Sequence, residues 1–174
     1  VLADGTVEAA LQEDLVRAEL ERLSSEGFAS VAVVFIHSWK YPDHEKLAGR
    51  LARKAGFSQV SVSHEVSRLV KMVGRGDTTV ADAYLSPILR RYVEQIEQEL
   101  GEGLRLQFMM SSGGLTAAEF FQGRDAVLSG PAGGVVGAVE TSLQAGFSRM
   151  VGFDMGGTST DVSHYDGELE RTFE

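Results

Sequence analysis

The stretch that decides the fold is Val151-Gly152-Phe153-Asp154-Met155-Gly156-Gly157-Thr158-Ser159-Thr160-Asp161-Val162. An apolar strand leads into an acid, two glycines and three hydroxyl residues, and a second acid precedes the closing valine. Glycines let backbone N–H groups approach a phosphate closely and adopt positive φ without steric cost. The hydroxyls add donors, and the two acids suit a magnesium ion or its waters. On spacing alone, phosphate binding and an ordinary tight hairpin both stay open, because glycine pairs mark many turns.

A helix of small residues precedes this stretch, with the sequence Ser129-Gly130-Pro131-Ala132-Gly133-Gly134-Val135-Val136-Gly137-Ala138. Ser129 is expected to cap the helix, and Pro131 suits its first turn. Each glycine in a helix interior costs up to ~1 kcal/mol relative to alanine. Gly133, Gly134 and Gly137 therefore indicate either a tight crossing with another helix or phosphate contact at the helix N-terminus. The residues alone favour the tight crossing.

Helical and strand patterns alternate along the rest of the chain. Helices are predicted to end near Gly27, to run from Pro42 to Gly56, and to span about 78–100. Strands are predicted at 30–36, 59–63 and 104–110. This order predicts an α/β domain with a mostly parallel sheet flanked by helices and a β-hairpin at its end. Two polar segments, 74–77 and 123–125, are predicted as loops.

Polar or glycine-rich residues follow each predicted strand. In open parallel sheets, ligands bind at the carboxyl ends of the strands, so these residues are expected to share one edge of the sheet. Single histidines at strand ends are common, but three such ends together indicate a site. The candidate substrate residues are His37, His64, Ser111, Ser112 and Gly113.

Composition excludes several classes of protein. The 174 residues carry a formal net charge of −9 and no cysteine. That charge argues against nucleic acid and anionic membranes as partners, and the missing cysteines exclude disulfides and thiolate metal sites. No apolar run is long enough for a membrane helix, and no secretory signal precedes the first helix. The chain is expected to be cytoplasmic, and both of its ends are interpreted as cuts in a longer protein.

Other site types find little support in the sequence. The four histidines lack zinc spacing. The sequence contains no G-x-S-x-G elbow, no P-loop ending in Gly-Lys-Ser/Thr, and no G-x-G-x-x-G after a first strand.

The small-residue helix followed by strand–Asp-x-Gly-Gly-Thr–strand resembles the actin-like ATPase superfamily, whose lobes have a ribonuclease H-like fold. Within it, the chain is similar to the hydantoinase/oxoprolinase family over about residues 31–163. The matching blocks are His37-Ser38, His44-Glu45, 63–65, 78–85, 110–115, 128–137 and 152–163. Asp82 and Arg75-Gly76 make the chain most similar to the members that open 5-oxoproline.

The resemblance implies a reaction and a division of roles. ATP would phosphorylate the amide oxygen of 5-oxo-L-proline, and water would open the ring to give L-glutamate, ADP and phosphate. Asp154 and Asp161 would be the catalytic residues, with Asp154 as the ligand of Mg²⁺. Phosphate contact would come from Gly156, Gly157, Thr158, Ser159 and Thr160, together with Gly133 and Gly134.

The resemblance also implies how the chain is organised and what it contacts. Residues 1–128 would be the later part of a first actin-like lobe. Residues 129–174 would be the connecting helix and phosphate hairpin of a second lobe. The family's first phosphate motif and its adenosine segment are absent from the chain, so we expect weak ATP binding and no turnover by this chain alone. The expected partners are the rest of its own polypeptide or a second subunit, and the whole protein is expected to be a homo-oligomer.

Two alternatives stay open at this point. One is a hydantoinase-type or acetone-carboxylase-type relative, since these enzymes share the phosphate hairpin. The other is a non-enzymatic, actin-like nucleotide switch, in which hydrolysis drives a change of partner.

Overall fold

A computed structural model describes residues 1–101 and 103–169 of the chain. The chain separates into two units. The first comprises Val1–Leu104 with Gln122–Arg124, and the second comprises Arg105–Phe121 with Asp125–Glu174. The two predicted lobe segments, divided after residue 128, stay a prediction. Residues 170–174, where one cut end was predicted, lie outside the described residues.

The first unit alternates helices and strands, as predicted. Its elements are α1 (Glu13–Ser25), β1 (Ser30–Val33), α2 (Asp43–Lys54), β2 (Gln59–Val62), α3 (Ser63–Val66) and α4 (Met72–Leu100). The prediction for α2 is confirmed, since the helix begins directly after Pro42 and ends shortly before Gly56. The predicted first strand is shorter than expected, because the chain turns at Phe35–Ser38 instead of extending to Ile36.

The core of this unit lies where the first two helices meet the sheet. β1 and β2 are parallel, with Ser30 opposite Gln59 and Val33 opposite Val62. The central buried side chains are Leu20, Leu51, Ala52 and Phe57. α2 packs on β1 and β2, and α1 packs on α2. Burial of apolar area contributes roughly 25 cal/mol per Å² removed from water. This packing fixes the carboxyl ends of both strands side by side.

α4 differs from the sequence prediction at its beginning. The polar segment 74–77 was predicted as a loop, but it belongs to the first turns of α4, which begins at Met72. Arg75 within it is completely buried. The helix continues through Pro87 and packs on both β1 and β2. The loop prediction was wrong because a buried hydrogen-bond network, invisible in local sequence, holds this turn.

The second unit consists of two hairpins and one long helix. Its elements are β3 (Gln107–Met109), β4 (Leu115–Ala117), a short 3₁₀ helix (Ala118–Phe120), α5 (Gly123–Ala126, shared with the first unit), α6 (Ser129–Gln144), β5 (Arg149–Met155) and β6 (Thr160–Asp166). The segment 123–125 was predicted as a loop and is instead the single turn of α5.

The predicted mostly parallel sheet does not form among the described residues. Each of the three sheets there has two strands, and only the pair β1–β2 is parallel. β3 pairs with β4 in an antiparallel hairpin instead of joining β1 and β2. The architecture is therefore α/β with small sheets and helices. The predicted terminal β-hairpin is confirmed as β5–β6.

The terminal hairpin leaves large apolar side chains in solvent. Val151, Phe153 and Met155 alternate along β5, and Val162 is the cross-strand partner of Phe153. These four side chains are 65–72% exposed. We call them the apolar face of the hairpin.

Within residues 1–101 and 103–169, no helix combines the length and the apolar character needed to cross a bilayer.

Candidate functional site

The β5–β6 hairpin places its two acids directly opposite each other. Asp154 pairs in register with Asp161, and Gly152 pairs with Ser163. Residues two apart on a strand share a face, so these four residues lie on the same side of the hairpin. That side is opposite the apolar face. The hairpin thus separates a polar side from an apolar one.

Residues 152–154 and 161–163 of the hairpin form one wall of a cleft of about 420 Å³, and α6 forms the other. The α6 residues in the wall are small or apolar: Pro131, Gly134, Val135 and Ala138. A Cβ placed on Gly134 would lie 3.8 Å from Oδ2 of Asp154. The helix backbone therefore comes close to the carboxylate without any side chain between them. We call this the hairpin cleft.

The glycines of α6 are not explained by packing against another helix. α6 packs mainly on β5, and also on β3 and β6. A Cβ on Gly133 would meet Met109 at 3.5 Å, which is ordinary contact, and one on Gly137 would meet nothing. The predicted tight helix crossing is therefore wrong for the residues described. The small residues leave an open helix surface beside Asp154.

Glycine at position 152 makes room for the Ser163 side chain on the opposite strand. A Cβ there would lie 2.4 Å from Oγ of Ser163, far inside van der Waals contact. With glycine at this position, the Ser163 hydroxyl fits between the strands at the wall of the cleft. Sequence reasoning missed Ser163, although it stands two residues after Asp161 and the period of a strand would have placed it on the same side.

The carboxylates of Asp154 and Asp161 carry like charges on one face. Like charges directly opposite each other destabilise a strand pair. Mg²⁺ is commonly held by one or two carboxylates together with substrate phosphates and waters. No cluster of three or more metal-binding side chains occurs among residues 1–101 and 103–169. The pair thus fits a magnesium ion shared with phosphate oxygens and does not fit an all-protein metal site.

The tip of the hairpin is formed by residues 156–159. The N–H of Gly156 donates to the carbonyl of Ser159 at 2.9 Å, which closes the turn. Neither Gly156 nor Gly157 has a positive φ. Thr158, Ser159 and Thr160 are exposed, so their hydroxyls face solvent at the tip.

Ser111 has a structural role in the second unit. Its hydroxyl donates to the carbonyl of Asp125 at 2.8 Å and accepts from the N–H of Leu128 at 3.0 Å, directly before α6. The predicted cap, Ser129, instead donates its hydroxyl to the carbonyl of Ala126. Ser112 is exposed, and Gly113 has a φ of 80° in the turn before β4. β3 is in a different sheet from β1, so the three predicted strand ends do not share one sheet edge.

The first two predicted strand ends do meet. The hydroxyls of Ser38 and Ser63 lie 3.0 Å apart and are both buried. β1 ends just before a turn that begins at Phe35. β2 leads directly into α3, which begins at Ser63. His37 is half-buried in the turn after β1. Parallel pairing of β1 and β2 therefore brings these polar residues together, as strand order predicted.

Glu45 is the centre of this polar cluster. It comes from α2, is completely buried, and accepts hydrogen bonds from the N–H of Phe35 at 2.9 Å and from the hydroxyl of Ser63 at 2.8 Å. Its other oxygen accepts from the N–H of His64 and lies 2.7 Å from Nδ1 of that ring. Burial acts to raise the pKa of Glu45, but hydrogen bonds from Ser38, His64 and Phe35 outweigh it and lower the pKa. Glu45 is therefore a buried carboxylate at neutral pH.

Arg75 supplies the opposite charge. Its Nε donates to Oγ of Ser63 at 2.9 Å, and its two terminal nitrogens donate to four backbone carbonyls. Those carbonyls belong to Phe35, Ile36, Leu69 and Val70. Ser63 thus joins the Arg75 guanidinium to the Glu45 carboxylate, as expected for charges buried together. We call Ser38, Glu45, Ser63, His64 and Arg75 the strand-end cluster.

Asp82 is the centre of a second buried set of hydrogen bonds in the first unit. Its carboxylate accepts from the hydroxyls of Ser61 at 2.6 Å and Ser86 at 3.1 Å, and from the N–H of Arg124 at 3.1 Å. Gly123 lies so close that a Cβ there would meet the carbonyl of Asp82 at 2.9 Å. The Asp82 side chain therefore joins β2, α4 and the start of α5.

A family comparison matches residues 75–174 to Hydantoinase/oxoprolinase and residues 1–56 to the Hydantoinase/oxoprolinase N-terminal region. The chain belongs to the hydantoinase/oxoprolinase family. Within this family it is most like 5-oxoprolinase, since proteins of that name are 41–47% identical to it. The 5-oxoprolinase of Saccharomyces cerevisiae is 47% identical over 93% of this chain. The chain spans 13% of the length of that relative.

Solved structures of two hydantoinase/oxoprolinase relatives have the same fold. The ATP-dependent caprolactamase of Pseudomonas jessenii superposes with a TM-score of 0.83 at 30% identity. The match covers 94% of this chain and 25% of that one. An acetone carboxylase, in a structure without nucleotide, gives a TM-score of 0.76 at 26% identity over 92% of this chain and 24% of that one.

For this member of the hydantoinase/oxoprolinase family, the structure brings together part of the predicted site. Asp154, Asp161 and Gly134 share the hairpin cleft. The sequence-based roles of these residues, and those of the tip residues and Gly133, stay predictions. Glu45 was not predicted as a site residue, although it stands in a block that carries the family resemblance. Its partners lie 10 to 19 positions away along the chain, so no local pattern could identify it.

Proposed function

We propose that this chain is a segment of an ATP-dependent cyclic-amide hydrolase, and that the reaction is 5-oxo-L-proline with ATP and water to L-glutamate, ADP and phosphate. The observation that carries the proposal is the pair Asp154–Asp161, opposite each other in the hairpin cleft beside the open surface of α6. Similarity to 5-oxoprolinases and to an ATP-dependent caprolactamase supports a cyclic amide as the substrate. Because the chain is a small part of its relatives, the rest of the polypeptide or a second subunit completes the site.

The hairpin cleft supplies what phosphate transfer needs from a protein, namely position and compensating charge. The backbone N–H of Gly157 and the hydroxyl of Thr158 would donate to phosphate oxygens, while Gly156, whose N–H closes the turn on Ser159, would let the tip approach the phosphate closely. Asp154 would hold the magnesium ion, and Asp161 would hold the ion or orient a water. When bound, the ion neutralises charge on the transferring phosphoryl group. Gly134 keeps the α6 surface low enough for a phosphate to enter the cleft.

Phosphorylation makes the substrate's carbonyl carbon reactive. The amide oxygen attacks the γ-phosphorus of ATP and ADP leaves. The phosphorylated oxygen then withdraws electrons from the carbon, which makes the carbon more electrophilic. Water then adds to the carbon, and the carbon–nitrogen bond of the ring opens. The nitrogen takes up protons and becomes the amino group of glutamate, while the carbon is left as an acyl phosphate. A second water hydrolyses the acyl phosphate to the carboxylate and releases phosphate.

Substrate-dependent ATP consumption by the complete protein that carries this chain tests the proposal. The assay compares 5-oxo-L-proline, hydantoin, acetone with bicarbonate, and no substrate. Consumption that requires 5-oxo-L-proline and yields glutamate supports it. Consumption that requires hydantoin or acetone assigns the chain to those family activities. Basal hydrolysis stimulated only by another protein supports a nucleotide switch and overturns the proposal.

Titration of this chain alone with ATP and magnesium tests whether the ATP site needs residues outside this chain. We expect weak binding and no release of phosphate, because the opposing phosphate motif is not in this sequence. Micromolar affinity together with steady phosphate release contradicts that expectation.

A further inference from the structure

The strand β1 is paired on one edge only. Its sheet has two strands, so among the described residues β2 lies along one edge of β1 and no strand lies along the other. The carbonyl of Ala29 accepts from the N–H of Gln59 and therefore points toward β2. Backbone groups of successive residues alternate between the two edges of a strand. The N–H and carbonyl groups of Ser30 and Ala32 consequently point to the open edge.

The sequence of β1 does not protect this open edge. Exposed edges are usually blunted by a lysine, a proline or a bulge. β1 consists of Ser30-Val31-Ala32-Val33 and pairs with β2 residue by residue, without a bulge. A short apolar run of this kind predicts a strand buried on both faces, but all four residues are only half-buried. β1 therefore has the composition of an inner strand and the surroundings of an edge strand.

A groove of about 570 Å³ lies between β1 and α4. Ser30 and Ala32 line it from β1, and Val80, Tyr84 and Ile88 are among the residues that line it from α4. The three α4 side chains are spaced by four residues, so they form one stripe on the helix. They are 58%, 70% and 44% exposed. Single exposed apolar side chains are ordinary, but an apolar stripe beside an unpaired strand edge is typical of a surface that binds an added strand.

We propose that an extended segment of the complete polypeptide, from outside this chain, pairs with the open edge of β1 and packs apolar side chains on the stripe formed by Val80, Tyr84 and Ile88. In such pairing, backbone hydrogen bonds hold the added segment and alternate side chains fill the adjoining groove. This chain spans 13% of a 5-oxoprolinase relative and 25% of the caprolactamase chain, so most of the polypeptide lies outside it. The inference does not depend on the reaction proposed above.

Two arguments favour the same polypeptide over a second copy of the protein. A tethered segment has an effective concentration on the order of millimolar when its connection is short and flexible, far above that of a free protein. Two copies paired edge to edge in antiparallel fashion would bring only the small side chains of Ser30 and Ala32 to the stripe. Most of the groove would then stay unfilled.

Hydrogen exchange of the complete protein, resolved to single amides by mass spectrometry, tests the pairing. The amides of Val31 and Val33 point to β2 and serve as the internal control. We expect the amides of Ser30 and Ala32 to exchange at least ~100-fold more slowly than in an unstructured peptide, and within about 10-fold of the control amides. Fast exchange at Ser30 and Ala32 between slow neighbours would mean an open edge and would overturn the proposal.

Val80→Asp tests whether the groove holds the added segment. A carboxylate in the stripe is costly to bury, so it should displace the segment and speed exchange at the Ser30 and Ala32 amides at least ~10-fold, with the control amides unchanged. Val73→Asp is the matched control, because Val73 is an exposed valine of α4 outside the groove lining. Equal exchange in the two variants overturns the role of the stripe. The wild-type pattern decides the pairing if Val80→Asp does not fold.

Light scattering at the concentration of the exchange experiment identifies the occupant. Protection of the Ser30 and Ala32 amides in a monomer supports a segment of the same polypeptide. Protection that appears only on self-association assigns the edge to a second copy, and protection that requires another protein assigns it to a separate subunit. Either of these results overturns the proposal. Substrate-dependent ATP consumption is measured separately, so the proposed function stands or fails independently.

Discussion

Asp154 and Asp161 are direct cross-strand partners on the side of the β5–β6 hairpin that lines the cleft with α6. Two exposed carboxylates at this separation repel each other, so the hairpin forms in spite of this pair. A protein under no functional constraint gains stability by replacing one of them. The pair therefore fits the magnesium-binding role proposed for it above.

Asp154→Asn is expected to stabilise this chain slightly and to weaken binding of magnesium with ATP in the complete protein. Removing one of two opposed charges adds about 0.2–1 kcal/mol to the free energy of unfolding. Thermal unfolding without metal measures the first effect, and calorimetric titration with ATP and magnesium measures the second. Asp166→Asn is the control on the same hairpin, because Asp166 forms an ion pair with Arg149 outside the cleft. Equal loss of nucleotide affinity in both variants contradicts the role of Asp154.

Gly152→Ala is expected to destabilise the hairpin, because the new methyl group would collide with Oγ of Ser163. Overpacking of this kind typically costs about 1–3 kcal/mol. The double variant Gly152→Ala/Ser163→Ala removes the colliding oxygen and should recover most of the loss. Denaturant unfolding of the two single variants and the double variant gives the coupling energy. Additive effects would show that the contact between positions 152 and 163 is not the cause.

Glu45→Gln is expected to lower the free energy of unfolding by about 2–4 kcal/mol at pH 7, because a buried carboxylate is replaced by an amide whose N–H groups face donors. Asp43→Asn is the control in the same helix, since its side chain is 95% exposed. It should change the free energy by less than about 0.5 kcal/mol.

The cost of Glu45→Gln is also expected to depend on pH. The pKa of Glu45 is lowered from its ordinary 4.5 in the folded chain. A lowered folded pKa gives stability that is complete above about pH 4.5 and is lost as the pH falls through the folded value. The difference between wild type and Glu45→Gln should therefore shrink as the pH falls below 4.5. Denaturant unfolding from pH 3 to pH 8 measures it, and a difference independent of pH would contradict the ionised state of Glu45.

Arg75→Lys is expected to be severe, with a loss of about 3–5 kcal/mol in the free energy of unfolding, as for other broken buried charge networks. Lysine is a point charge and cannot reproduce the planar set of donors that reaches Ser63 and four carbonyls. Arg17→Lys, at an exposed arginine of α1, is the matched control and should be close to neutral. Equal unfolding midpoints for the two variants would show that Arg75 contributes no more than a surface charge.

Sequence reasoning predicted the elements whose signals are local. α2 follows from Pro42 and Gly56 with an apolar stripe between them, and the β5–β6 hairpin follows from the acid-flanked glycines. The proximity of Ser38 and Ser63 was expected, because the carboxyl ends of neighbouring parallel strands lie at the same edge of a sheet. The opposed aspartates could also be expected, since a turn between two strands brings its flanks into register.

What could not be predicted depends on distant contacts. Arg75 stands between two glycines in a segment with the composition of a loop, yet its side chain is fixed by carbonyls as far away as Phe35. β3 was predicted to join the first sheet, but Gly113 and the turn after Met110 allow it to pair with β4 instead. Neither outcome is encoded by periodicity, because both depend on which other segment is nearby in space.

The apolar face of the hairpin consists of four side chains. The loss of stability on truncating any one of them depends on whether another segment covers it. Val151, Phe153, Met155 and Val162 are mostly in solvent, so truncating any one of them should barely change the unfolding of this chain. The same truncation in a longer protein becomes costly in proportion to the area that other segments bury there. At each position, the loss in free energy of unfolding in this chain can be compared with the loss in the complete protein. The difference measures how much of the hairpin's outer surface is buried in the complete protein.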